Sequence, residues 1–255
     1  MTSGEATTVG ASTFEEALRL IDGVEGWLSE GQARVLWDAA RAVRPPGRIV
    51  EIGSFRGRSM IVLASAAAPG VELVAIDPHG GSDRGPQEIE ADSERGDADN
   101  DAFESNLSRA VVRERVRHVR RFAREAVDDV AGNIDLLYID GAHRYQPVRE
   151  DVELWGARVE SGGTMLMHDA FNAIGVTLVQ LRLLLLSPSW RYEGRERSLA
   201  RYRRIDLHPR ARARNALVQL GGLPYFVRNL VVKVLIVAKL RPLAALLGCR
   251  EDWPY

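Results

Sequence analysis

The chain has 255 residues, 45% hydrophobic and 27% charged, enough to bury a full core as one α/β domain with extensions. Its formal net charge is −1, and its cations are arginines apart from Lys233 and Lys239, so bulk charge gives no reason to expect a nucleic-acid partner. Residues 1–10 lack the basic and apolar segments of a secretory signal, and a single cysteine, Cys249, excludes a disulfide within one chain, which together predict a cytoplasmic protein.

Residues 1–12 are small and polar and read as a disordered lead-in. Thr13-x-x-Glu16 and Ser29-x-x-Gln32 have capping-box spacing, predicting two N-terminal helices within 13–47, the second broken by Pro45-Pro46-Gly47. A strand follows over 48–53, then a helix over 60–67 ended by Gly70, and a strand over 72–76. The Gly-, Asp- and Glu-rich stretch 80–101 reads as a long loop shaping the acceptor pocket, ahead of a helix over 103–110. Strands are predicted at 116–120, 134–139 and 164–167, and a helix carries Val148, Val152, Trp155 and Val159 on one face. Such alternation predicts an α/β fold, a Rossmann-like, doubly wound, mostly parallel sheet over 48–205, with ligands at the carboxyl ends of its strands.

Residues 206–255 read as a C-terminal helical extension, basic at Arg210, Arg212 and Arg214 and apolar from Leu223 to Leu247. Arg228, Lys233, Lys239 and Arg241 interrupt the apolar run, which therefore falls short of the roughly 18 uninterrupted apolar residues of a spanning helix. A membrane-interface role is one reading; packing on the core or homo-oligomer formation is favoured, because the charges do not fall on one helical face.

The run Glu51-Ile52-Gly53-Ser54-Phe55-Arg56-Gly57-Arg58-Ser59 sits where the first strand turns into a helix. Glycines there let the backbone approach a ligand, and the helix N-terminus offers free N–H groups. The spacing fits neither a dinucleotide fingerprint, which needs glycine at Phe55, nor a phosphate-binding loop. It resembles motif I of class I S-adenosylmethionine-dependent methyltransferases, whose glycine loop holds the methionine part of the cofactor. That resemblance makes Glu51, Gly53, Ser54, Gly57 and Ser59 cofactor-binding residues, and Asp77, closing the second strand, a ribose ligand. Phe122 and Ala123, after the third strand, occupy the position of the adenine pocket, with Phe122 able to offer an aromatic face.

Asp140, His168 and Asp169 follow directly on strands and are expected to converge at the carboxyl edge of the sheet, where clustered carboxylates favour a divalent cation between them. His143 lies three residues beyond Asp140, and a near-neutral imidazole suits proton removal from a hydroxyl.

With these residues in view, 26–204 resembles the metal-dependent O-methyltransferases that modify sugars of macrolides, in a broader family that includes cephalosporin-hydroxylase-like proteins. The marks are Glu51-x-Gly53, Ile139-Asp140-Gly141-x-His143-x-Tyr145, Asp151-x-x-x-Trp155 and His168-Asp169. The resemblance implies Mg²⁺ at Asp140 and Asp169, His143 as general base with Asp140 as a second catalytic residue that also borders the cofactor, and a sugar or glycan-like acceptor. Many metal-dependent relatives carry a carboxylate or amide where this chain has His168; imidazole favours softer ions such as Mn²⁺, and His168 is either a ligand or a residue behind the ligands. Two other classes compete: a non-catalytic binding protein on the same scaffold, and a methyltransferase of phenols or other small alcohols. A metal-dependent hydroxylase is disfavoured by the glycine-loop signature, which favours methyl transfer over oxygen chemistry, the latter normally using two histidines and a carboxylate with open positions.

Overall fold

The protein is described here by a computed structural model covering residues 13–82 and 89–249; the lead-in expected at 1–12 lies outside the described residues. Helices α1 (Phe14–Leu20) and α2 (Glu30–Ala42) start at Thr13 and Ser29, and both capping boxes form, each side chain accepting from the backbone three residues on while Glu16 and Gln32 reach back. The chain then alternates β1 (Arg48–Ile52), α3 (Arg58–Ala66), β2 (Glu72–Ile76), α4 (Ser93–Arg109), β3 (Val116–Val119), β4 (Ile134–Ile139), α5 (Tyr145–Leu154) and β5 (Val159–Met167). Helix α6 (Ile174–Val179) runs on into a π-helical turn, Gln180–Leu184, and leads to β6 (Trp190–Glu196) and β7 (Leu199–Arg204).

These strands form one seven-stranded sheet, ordered β3-β2-β1-β4-β5-β7-β6. The first five are mutually parallel, and β7 inserts antiparallel between β5 and β6. Strand order reverses between β1 and β4, so their carboxyl ends open the crevice in which doubly wound sheets bind ligands. Successive strand residues face opposite sides. Ile49, Leu136 and Tyr138 join a core under α1–α4, while Val50, Ile52, Leu137 and Ile139 join a second core with Val148, Val152 and Trp155 of the α5 side.

Four elements differ from the sequence reading. Helix α4 begins at Ser93, ten residues before the expected 103, with the Asp92 side chain accepting from Arg95 N. Its first half is almost entirely polar, and the buried stripe is thin (Gly96, Asp99, Phe103, Leu107), so hydrophobic periodicity reveals only its C-terminal end. Val159 is the first residue of β5 rather than part of the α5 face, because the helix ends at Leu154 and a 3₁₀ turn intervenes. Strand β5 in turn starts five residues earlier than expected, with Glu160, Ser161 and Gly162 exposed. The β6–β7 hairpin was not expected: arginine and glutamate at its outward positions dilute the apolar alternation, leaving Trp190, Tyr192, Ala200 and Tyr202 as its buried side.

Beyond the sheet lie α7 (Pro209–Leu220), α8 (Leu223–Val237) and α9 (Arg241–Leu246). Among the described helices, the stretch Pro209–Val237 is long and apolar enough, by length and composition, to cross a bilayer, although a turn at 221–222 divides it. Tyr225 and Phe226 of α8 pack on the α5-side core, and the Asn229 side chain donates to Asn172 Oδ1 (3.3 Å).

Candidate active site

The turn after β1 is built by two glycines with different tasks. Gly53 has φ +86°, and a Cβ there would overlap the carbonyl of Asp140, so only glycine lets the loop press against the end of β4. Gly57 caps α3 in the left-handed conformation and supplies no side-chain cap. The first N–H groups of α3 are thus left for other acceptors, in the geometry that suits a carboxylate or another anion.

Asp77, just past β2, holds this turn from the side. Its Oδ2 accepts from Phe55 N (2.8 Å) and its Oδ1 from His79 N (2.7 Å), while His79 Nε2 lies 2.8 Å from the Phe55 carbonyl. Each carboxylate oxygen retains a lone pair for a ligand hydroxyl.

Glu51 is fully buried under the turn, and neither of its oxygens makes a hydrogen bond of full geometry. Burial pushes its pKa up to about 8; the Ser54 and Ser59 hydroxyls oppose that rise, and the Asp140 and Asp77 carboxylates add to it. A folded-state pKa above the unfolded value means stability that is complete below about pH 4.5 and is lost as pH rises through about 8. Glu51→Gln is therefore expected to flatten the fall in melting temperature between those limits, and to exceed the wild type in stability at pH 8. Parallel pH dependences in the two proteins would show that Glu51 is ionised in the fold.

A cavity of about 660 Å³ opens at the carboxyl edge of the sheet. Gly53, Ser54, Ser59, Asp77, Phe122, Ala123, Asp140, His143, His168 and Asp169 all line it; Glu51 and Gly57 do not, lying behind the turn instead. Phe122 is half exposed at the wall, and Ala123 is fixed by Trp155, whose indole Nε1 donates to the Ala123 carbonyl (3.1 Å). Asp151, one helical turn before Trp155, is buried against the cavity with its pKa pushed up to about 7, chiefly by burial and then by Glu150.

On the same wall, two carboxylates and two imidazoles interlock. His143 Nε2 lies 2.8 Å from Asp169 Oδ2, and His168 Nδ1 lies 3.1 Å from Asp140 Oδ1 and 3.3 Å from Asp169 Oδ2. Tyr138 donates its hydroxyl to Asp140 Oδ2 (2.7 Å), and Asn172 donates its amide to Asp169 Oδ1 (2.6 Å). Asp169 adopts φ +54°, a left-handed conformation that Asp and Asn tolerate better than most residues. Burial alone would raise the Asp169 pKa, but the His143 and His168 imidazoles outweigh it and hold the carboxyl well below its ordinary range. Burial would likewise lower both histidines, and the facing carboxylates instead raise His143 and push His168 well up. Burial, with Asp140 beside it, keeps the Tyr138 hydroxyl protonated.

Asp140, His143 and Asp169 can each offer a ligand atom within 4.8 Å of the others, and two carboxylate oxygens with one imidazole nitrogen form a donor set that fits a divalent cation. His168 stands behind the two carboxylates, 3% exposed, and its Nε2 has no partner. Two imidazoles face this pair of carboxylates and have their pKa values raised by it, so the proximity of the carboxylates alone does not demand a metal.

The structure adds four wall or support residues that the sequence reading lacked. Tyr138 and Asp140 are two residues apart and therefore share a face at the end of β4, a signal present in the sequence. Asn172, and Leu230 and Lys233 from α8, reach the cavity only through tertiary packing; Lys233 Nζ donates to the Asn172 carbonyl (2.8 Å).

Residues 50–170 match a family model described as a methyltransferase domain. An uncharacterized protein of Sinorhizobium fredii is 28% identical over 174 residues, 64% of this chain and 17% of that protein, so the chain corresponds to a small part of that relative's length. Among solved structures, an O-methyltransferase from Bacillus cereus in complex with SAH superposes with TM-score 0.53 at 18% identity, covering 76% of this chain and 91% of that one. The O-methyltransferase TomG from Streptomyces achromogenes, in complex with SAM, superposes with TM-score 0.52 at 21% identity, covering 80% and 91%. Residues 50–170, just under half of the chain, are thus similar to the methyltransferase-domain family, and the sheet that contains them has the Rossmann-like fold of these solved methyltransferases.

Proposed function

We propose that the protein is an S-adenosylmethionine-dependent O-methyltransferase that methylates a hydroxyl of a sugar or glycan-like small molecule, with a divalent cation, Mg²⁺ or Mn²⁺, at Asp140 and Asp169. One observation carries the reading: the glycine turn, Asp77 and the Asp140–His143–Asp169 cluster line a single cavity. The uncapped N-terminus of α3 suits the cofactor carboxylate, Asp77 the ribose hydroxyls, and Phe122 with Ala123 the adenine. The two O-methyltransferases of like fold support the same reaction class.

Bound S-adenosylmethionine supplies an electrophilic methyl on sulfonium sulfur, and a bound cation supplies positive charge that favours the deprotonated acceptor oxygen. The chain itself does the rest. Asp169 orients the His143 imidazole to take the proton of an acceptor hydroxyl; the freed oxygen would accept the methyl of a bound cofactor, giving the methyl ether and S-adenosylhomocysteine. Tyr138, His168 and Asn172 hold the two carboxylates in place, so little reorganisation accompanies the reaction. The facing carboxylates raise the His143 pKa, and a cation held by Asp140 and Asp169 would oppose that rise and favour the neutral imidazole that can act as a base.

A sugar acceptor rests on the resemblance of residues 26–204 to macrolide-sugar methyltransferases. A phenolic acceptor is the second reading, favoured by the Trp27–Phe55 ring pair (centroids 5.6 Å apart) on the cavity wall. Transfer of labelled methyl from S-adenosylmethionine to panels of nucleotide sugars and catechols, with Mg²⁺ and then with EDTA, tests both. The proposal expects label in a sugar ether and its loss with EDTA. Label on catechols alone would replace the acceptor, undiminished transfer in EDTA would remove the cation, and cofactor binding with no transfer to any hydroxyl would overturn O-methylation.

A further inference from the structure

We propose that the outward face of α7–α9 seats on an anionic lipid bilayer, bringing the mouth of the cavity to the membrane surface. Helix α8 is apolar on two opposite faces. One face is covered from within the chain, Tyr225 packing on the α5-side core, Asn229 donating to Asn172, and Val232 and Ile236 packing with Ala244 and Cys249; directly opposite, Val227, Val231 and Val234 recur at i, i+4 and i+7, between 45% and 66% exposed. A soluble helix ordinarily turns polar residues outward at such positions, and an apolar face left outward marks an interaction surface.

The neighbouring helices also expose apolar and basic side chains. Helix α7 buries Asn215, Ala216 and Gln219 and turns Arg210, Arg214 and Leu217 outward, and Leu243 and Leu246 of α9 are exposed as well. The turn at Gly221–Gly222 breaks the segment into separate helices, so its charges need not share one continuous helical face.

Charge identifies the occupant. From Leu207 to Cys249 the chain has seven basic side chains and no acidic one, leaving 27 basic against 35 acidic elsewhere. A second copy meeting this face by two-fold symmetry would set those cations against their own kind with no carboxylate of the segment to pair them. Arg212, Arg228 and Lys233 bond backbone carbonyls of the protein, while the exposed Arg210 and Arg214, with the outward valines and leucines, complement an anionic headgroup layer above acyl chains. Leu230 and Lys233 of α8 also stand in the cavity wall, so the helix that would lie on the bilayer borders the site.

Co-sedimentation of the full chain with phosphatidylcholine vesicles, with and without phosphatidylglycerol, tests the inference without reference to the reaction. The chain should pellet with phosphatidylglycerol-containing vesicles, weakly with pure phosphatidylcholine, and less in high salt. Arg210→Ala with Arg214→Ala should weaken binding by about fivefold per cation at low salt, the equivalent of about 1 kcal/mol each. Val231→Asp with Val234→Asp should release the protein while its melting temperature stays near that of the wild type, since both side chains are exposed. A chain that stays in the supernatant with phosphatidylglycerol vesicles would overturn the proposal. So would light scattering that shows a dimer which Val231→Asp converts to a monomer, assigning the face to a second copy.

Discussion

His143→Gln is expected to lower turnover by about 10²–10⁴-fold, the range over which a positioned general base acts, while cofactor affinity stays unchanged. Glutamine can still donate an amide hydrogen to Asp169 but cannot carry away the acceptor proton, so the substitution separates proton transfer from packing. The pH profile gives a second readout that a structural role would not move. Because Asp169 and Asp140 raise the His143 pKa over the cost of burial, activity at low cation concentration should rise with pH above the ordinary imidazole range. Added Mg²⁺ should shift that limb to lower pH, and His143→Gln should abolish it. Near-normal turnover in the variant, with the acid limb intact, would assign the base to another group.

Asp169→Asn should have the second large effect, on stability as well as activity. Asparagine tolerates the left-handed backbone of this position, so the substitution removes charge with little change of shape. It leaves His168, buried and raised well above its ordinary pKa, facing Asp140 alone. Breaking one side of a buried ionic cluster costs about 3–5 kcal/mol when the remaining charge is stranded. Here the penalty is limited by the ability of His143 and His168 to lose their protons.

The pH window follows from the directions of the shifts. Asp169, depressed in the fold, contributes stability that is present above its unfolded value near 3.9 and is lost as pH falls through its lower folded value. His168 and His143, raised in the fold, contribute fully below about pH 6.5, and that contribution is lost as pH rises through their folded values. In EDTA the melting-temperature gap between wild type and Asp169→Asn should thus be widest between about pH 4 and 6.5 and should narrow on either side. A gap independent of pH over that span would mean that the cluster is not ionised as the structure arranges it.

Much of this was legible in the sequence because the parallel strands are buried on both faces and read as unbroken apolar runs: Ile134–Ile139 and Glu72–Ile76 are predicted at their observed bounds. The capping boxes at Thr13 and Ser29 were legible for a local reason, since they need only residues three apart. The β6–β7 hairpin was not, because half of its residues face water and are arginine or glutamate, and the start of α4 was hidden by a polar turn held by the Asp92 cap. In the site, Asp140, His143, His168 and Asp169 could be placed at one edge from their strand ends. Which imidazole meets which carboxylate is a tertiary fact: His143 reaches Asp169 across 26 positions of sequence, and His168 spans both carboxylates. Lys233, from a helix that composition sets apart from the core, had no local signal for its place in the cavity wall.

The most direct test of the account is a calorimetric titration of the full chain with S-adenosylmethionine, with Mg²⁺ and with EDTA, beside Asp77→Ala. Asp77 braces the turn after β1 and is the proposed partner of the ribose hydroxyls, so its loss should weaken binding by roughly 10–100-fold, the worth of hydrogen bonds to a charged group. Saturable binding by the wild type that Asp77→Ala weakens to this degree is the predicted result; the absence of binding in both conditions, or equal affinity in the two proteins, would contradict a cofactor site at the glycine turn.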